Sequence, residues 1–127
     1  MAHRFTKHYT REEARALLPT LREWLGRLDE LREELEQNDR RLAGLTGPGQ
    51  DQGGELVNRS VRLVAEVKEV LGKFMTRQIV IKDLPRGLLD FPALIGGREV
   101  FLCWEKDEED IEYWHDLDSG YAGREPL

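Results

Sequence analysis

The residues with the most chemical potential stand together near the C-terminus, in Tyr113-Trp114-His115-Asp116-Leu117-Asp118-Ser119-Gly120-Tyr121-Ala122-Gly123-Arg124. His115, Asp116 and Asp118 place one imidazole and two carboxylates in a short stretch. Such a mixed N/O donor set ligates Zn, Mn or Fe when further ligands arrive from elsewhere in the chain. Asp83 and Asp90, at expected strand ends, are the carboxylates best placed to converge on it. On a strand His115 and Asp116 point to opposite faces, so a turn must begin there for both to reach one ion. Haem through His115 is a lesser branch, because the chain has no Cys-x-x-Cys-His attachment motif. Gly120, Gly123 and Arg124, with Tyr121 among them, offer exposed amides and a guanidinium to an anion.

Other chemistries fail on spacing. Asp116-x-Asp118-x-Gly120 puts glycine fifth where a calcium loop needs it sixth, and Leu127 stands where that loop needs glutamate. No Lys-Ser/Thr follows the glycines, so this is not a P-loop. The single thiol, Cys103, lies in the apolar run Val100-Phe101-Leu102-Cys103-Trp104, which favours an inert buried cysteine over a nucleophile. Ser119 is too near His115 and Asp116 in sequence for a relay geometry. His3 and His8 sit near a terminus expected to be mobile. The balance leans away from an enzyme.

The 127 residues suit a single domain, residues 1–127. With 25 acidic against 19 basic side chains the net charge is −6, and the pI near 5.1 argues against bulk nucleic-acid binding, which draws its affinity from phosphate neutralisation. Neither an apolar run of about 18 residues nor a signal-peptide h-region is present, so no membrane partner and no Sec export are expected. One cysteine cannot make an internal disulfide and fits a cytoplasmic location. Residues 83–127 carry twelve acidic and four basic side chains, a net of −8, while residues 55–82 net +3. The asymmetry points to these two segments lying against each other, within or between subunits, the alternative being a solvated acidic surface.

The positioning elements follow from periodicity. Thr10 and Glu13 have capping-box spacing, which opens helix 1 over residues 10–45. Leu21, Leu28, Leu35 and Leu42 repeat every seven residues, interleaved with Leu17, Trp24, Leu31, Asn38 and Leu45, as in an a/d seam. Leu18 and Leu25 widen the stripe in the first half, whereas Arg32 and Asp39 narrow it later. Pro19 inside the pattern predicts a bend. Asn38 at a seam position fixes register when buried, although an asparagine near a helix end is more often exposed. Residues 46–54 read as a loop. Helix 2, residues 55–77, carries one seam of Leu56, Leu63, Val67, Val70 and Phe74 and a second of Val57, Val64 and Leu71. A helix this long, roughly 50 Å for residues 10–45, must project or pack on another, so an antiparallel coiled-coil-like hairpin is expected.

After residue 78 the period becomes strand-like, and residues 79–127 read as a small antiparallel β-meander and tail. Gly96-Gly97 marks a hairpin, and Pro92 demotes its strand to an edge or a strand end. The fold class is therefore α+β, a long antiparallel helical hairpin followed by a β-meander. At this point the chain resembles the uncharacterised bacterial domain-of-unknown-function family 2203, on YTREEARALLPTLRE at its start, KDLPRGLLDFPAL followed by GREVFLCW in its centre, and YWHDLDSGYAGREPL at its close. The resemblance implies a small cytoplasmic bacterial protein and brings no catalytic residue. Excess apolar surface on two helices predicts a non-catalytic, self-associating interaction module, a homo-oligomer. The alternative is a metal- or small-ligand-binding protein, or an enzyme, with its site at the tail.

Overall fold

The capping box forms as its spacing predicts: the Glu13 amide donates to Thr10 Oγ1 at 3.0 Å, and the Thr10 amide donates to Glu13 Oε1 at 2.9 Å. In the computed structural model, which describes residues 2–45 and 52–127, helix α1 then runs Arg11–Ala43 and helix α2 runs Gln52–Thr76. Five strands follow: β1 (Val80–Asp83), β2 (Leu88–Ile95), β3 (Arg98–Glu105), β4 (Tyr113–Asp116) and β5 (Glu125–Pro126). They pair antiparallel in the order β1-β2-β3-β4-β5, so the fold is α+β: two helices and then a five-stranded antiparallel sheet. Helix α2 starts earlier than periodicity suggests. Gly53 and Gly54 lie in its first turn, where amides need no helical partner and helix propensity matters least. The remainder of the expected loop, residues 46–51, lies outside the described residues. Helix α1 passes through Pro19, which is exposed, as is Arg15, whose carbonyl loses its helical donor. No described helix is long and apolar enough to cross a membrane.

The chain divides into two compact units, Gly26–Gly72 and Met1–Leu25 with Lys73–Leu127. In the first, Arg27 Nη2 meets Glu66 Oε1 at 2.8 Å, Arg59 Nη2 meets Glu34 Oε1 at 3.4 Å, and Asn38 Nδ2 donates to the Leu56 carbonyl at 2.6 Å. Partners that descend in one helix as they ascend in the other define an antiparallel hairpin. Leu28, Leu31, Leu63 and Val70 are buried in it. Asn38 is buried as well, at 2% exposure, because its amide also donates to Ser60 Oγ at 2.6 Å. It therefore pins the helices lengthwise.

In the second unit the strand pleat sorts the side chains. Leu89, Phe91, Ala93, Val100, Leu102 and Trp104 share one face, all buried, and this face meets the start of α1 through Tyr9 on Phe91 and Arg22 over Trp104. Leu88, Asp90, Pro92, Phe101, Cys103, Tyr113 and His115 share the other. Gly96 and Gly97, both at positive φ, make the two-residue β2–β3 turn that joins Ile95 to its partner Arg98. Pro92 does not place β2 at the edge, since β2 lies between β1 and β3. Instead β1 pairs only as far as Asp90, and past it the Tyr9 amide takes the Pro92 carbonyl at 2.7 Å, so no ladder donor is missing there. The acidic third finds its cations one by one. Asp110 pairs with Arg11 and Arg15 of α1, Asp118 with Arg4, and Glu105, Asp116 and Glu108 with Arg86, Arg98 and Arg124 of the sheet region itself. Charge totals could not resolve this, because individual arginines, rather than segment sums, find the carboxylates.

Asn38 Oδ1 is buried without a hydrogen-bond partner. Asn38 Nδ2 is the donor to both the Leu56 carbonyl and Ser60 Oγ, so Asn38→Leu should destabilise the fold by about 1 kcal/mol even though it removes that oxygen, and adding Ser60→Ala should recover most of the loss. A midpoint for Asn38→Leu at or above that of wild type in thermal denaturation would contradict this.

Candidate functional site

The polar face of the sheet is unusual in having a buried, ionisable centre. Asp90 on β2 stands directly opposite Cys103 on β3, and His115 on β4 stands opposite Phe101, two residues back along β3. The three side chains therefore converge across the middle strand. His115 Nε2 lies 3.0 Å from Asp90 Oδ1. The Cys103 sulfur, one Asp90 carboxylate oxygen and a His115 ring nitrogen all lie within 4.8 Å of one another. Each of the three residues is only 1% exposed.

The protonation of this centre follows from its partners. His115 Nδ1 sits 2.6 Å from the backbone carbonyl of Asp116, which only accepts, so Nδ1 carries a hydrogen. Nε2 and Asp90 Oδ1 then need one shared proton, since two bare acceptors would repel. Burial raises the Asp90 pKa, against the opposing pull of His115. Burial, and next the neighbouring Asp90 charge, push the Cys103 thiol up to about 12. A thiol of that kind is no nucleophile at neutral pH, consistent with its apolar sequence context. Asp90 Oδ2 is buried with no hydrogen-bond partner.

The remaining tail residues go elsewhere. The turn that sequence analysis required after His115 does begin at Asp116, where the Ser119 amide donates to the Asp116 carbonyl at 3.2 Å. The Asp116 side chain nevertheless turns outward to Arg98. Asp118 pairs with Arg4 at 3.2 Å, and Asp83 Oδ1 accepts the Arg86 amide at 3.1 Å. Of the proposed metal ligands, His115 and Asp90 are thus brought together, while Asp83, Asp116 and Asp118 are engaged with other partners. Arg124 Nη2 contacts both Glu108 carboxylate oxygens at 2.7 Å, and its guanidinium covers the Tyr113 and Tyr121 rings at 3.9 and 4.6 Å. Gly120 (φ 68°) starts the turn into Tyr121–Gly123, and Gly123 packs so closely on Ser119 that a Cβ would lie 2.8 Å from its side chain. These glycines shape the return of the chain to β5, a strand that two residues ending in Pro126 could not announce. Cys103 is the member that sequence reasoning set aside; its register opposite Asp90 across the Gly-Gly hairpin was the available signal.

A strap formed by residues 4–9 borders the same face. The Arg4 and Phe5 amides donate to Glu99 at 2.7 and 3.0 Å, and His8 Nε2 contacts Glu99 Oε2 at 2.7 Å. The Thr6 and Lys7 amides donate to Gln78 Oε1, and the Phe5 ring packs edgewise on Phe101, whose own ring lies 5.5 Å from His115. The N-terminal segment expected to be mobile is therefore tied down. His3, His8 and Glu99 also bring ligand atoms within 4.8 Å of one another, at a more exposed position.

A family model described as an uncharacterized conserved protein (DUF2203) matches residues 7–127. No curated protein and no solved structure matches the chain.

Two outcomes follow from the site geometry. Metal-free native protein should leave Cys103 unreactive toward an aromatic disulfide reagent over the time in which the urea-unfolded chain reacts fully; a fast native reaction would contradict the burial. At Glu99, burial alone would raise the carboxyl, but the hydrogen bonds from His8 and from the Arg4 and Phe5 amides outweigh it and hold the pKa at about 2. A lowered folded pKa gives stability that is complete above the ordinary carboxyl range and lost as pH falls toward about 2. Amide-exchange protection of Arg4 and Phe5 should therefore survive at the ordinary carboxyl pKa and vanish near the lowered one, and Glu99→Ala should abolish it at neutral pH.

Proposed function

This chain belongs to the DUF2203 family of uncharacterized conserved proteins, and from that premise we propose that it works as a self-associating, non-catalytic module that pairs with a second copy through α2. The supporting observation is a stripe of exposed valines. Val57, Val61 and Val64 are 51%, 64% and 41% exposed, at spacings of four and three residues along one face of the helix. Ser60, Val61, Val64, Ala65 and Lys68 line a shallow depression on that face. The opposite seam, with Leu63 and Val70, is already buried within the Gly26–Gly72 unit. Of the second flank read from the sequence, Val57 and Val64 are exposed while Leu71 is half-buried, and Val61 joins them.

A second copy suits this stripe for a geometric reason. An isologous contact uses the same patch twice, and antiparallel pairing centred between Val61 and Val64 sets each beside the other's counterpart. Valines at alternating spacings of three and four residues are the side chains that a two-helix seam accepts. The buried ionisable centre offers no open cleft for a substrate, since its three members are 1% exposed.

Light scattering coupled to size exclusion tests this on untagged protein. Wild type should run as an oligomer at micromolar concentration, and the double variant Val61→Glu, Val64→Glu should run as a monomer with unchanged helical circular dichroism. A monomeric wild type would retire the reading, as would an oligomer that survives both glutamates.

A further inference from the structure

We propose that Asp90, Cys103 and His115 form a divalent-metal site selective for Zn²⁺, held by one oxygen, one sulfur and one nitrogen donor, with the fourth position left to water. The site differs from the tail constellation that the sequence suggests, because Cys103 enters it and Asp83, Asp116 and Asp118 do not.

Four features of the centre favour a bound metal ion. The three donors come from adjacent strands β2, β3 and β4, so ladder pairing rather than a loop fixes their positions. Their atoms lie within 4.8 Å of one another, and His115 Nε2 and Asp90 Oδ1 stand at 3.0 Å. Ligand atoms around a tetrahedral zinc ion are separated by about 3.3–3.6 Å, so only a small adjustment is needed. His115 is oriented as a ligand, since its Nδ1–H donates to the Asp116 carbonyl at 2.6 Å and aims Nε2 into the centre. Finally, Asp90 Oδ2 is buried with no nitrogen or oxygen donor, only the weakly donating Cys103 thiol standing by the carboxylate, a defect that a cation corrects.

The charge balance agrees. A thiolate and a carboxylate around a doubly positive ion sum to zero, which removes the cost of burying either anion alone. The ion replaces both the thiol hydrogen and the single proton bridging Asp90 and His115. A sulfur donor beside imidazole and carboxylate favours zinc over magnesium, calcium or manganese, and Co²⁺ substitutes for zinc with a visible spectrum. Among the described residues no fourth histidine, cysteine or carboxylate joins the set.

The test uses the untagged chain, refolded from urea with Co²⁺ or Zn²⁺ because the centre is closed to solvent. Expected are one equivalent of metal per chain, a near-ultraviolet sulfur-to-cobalt charge-transfer band, and a higher thermal midpoint with Zn²⁺. Cys103→Ala, which keeps a small apolar side chain in the sheet, should fold by circular dichroism, lose the band and bind zinc about 100-fold more weakly or worse. His8→Ala, at the exposed cluster, should leave the band unchanged. Folded wild type that takes up no metal would overturn the proposal. So would bound Co²⁺ without a sulfur band that disappears in His8→Ala, since the exposed cluster would then be the binder. A sulfur band that persists in Cys103→Ala would overturn it as well.

Discussion

The sheet is organised around a hydrogen bond between Asp90 and His115, two side chains on strands that do not touch. Strand β3 lies between them, and the bond spans it at 3.0 Å, with Cys103 and Phe101 as the intervening residues. A buried polar pair of this type tolerates little error in register. A slip of one residue on β4 would turn His115 to the face that meets α1 and would leave Asp90 alone in an apolar sheet. The Asp116 carbonyl completes the arrangement, since it orients the imidazole and receives the Ser119 amide at the start of the tail turn.

Around that centre both ends of the chain are tied down. Glu99 and Gln78 supply side-chain acceptors to four consecutive amides, those of Arg4, Phe5, Thr6 and Lys7, which would otherwise lie unpaired along the sheet. At the other end Arg124 is held between Glu108 and two tyrosine rings, and Leu127 donates to the Glu112 carbonyl. The strong negative charge of the last third is tolerated because arginines of the N-terminal segment and α1 answer several of its carboxylates individually. These contacts and the buried centre belong to one compact unit.

The helices follow a simpler rule. Where α1 carries the broad stripe of Ala14, Leu18, Leu21 and Leu25, all four residues are buried; where Arg32 and Asp39 narrow it, only Leu31 and Asn38 are. Helix α2 buries Leu63 and Val70 on one side and leaves Val57, Val61 and Val64 in solvent on another. Stripe width counts the partners a helix requires, and α2 carries more apolar width than its own hairpin covers.

Much of this architecture was legible from local signals. The capping box at Thr10 and Glu13, the heptad leucines and the Gly96-Gly97 turn each depend on neighbours a few residues away, so the sequence alone determined the helices, the hairpin turn and the α+β class. The same was true of Asp90 and His115 as chemically notable residues. What only the tertiary structure decided was which of them meet. Register across β2, β3 and β4 brings Cys103 between them, although its apolar surroundings pointed to an inert core residue. Competing arginines take Asp116 and Asp118, and the Arg86 amide takes Asp83, so those three carboxylates are lost to the centre. Asn38 was equally undecidable, since exposure or burial depended on whether Leu56 and Ser60 arrived opposite it. Long-range pairing selects among side chains that look equivalent along the chain, because a hydrogen bond or ion pair is won by whichever partner the fold delivers within reach.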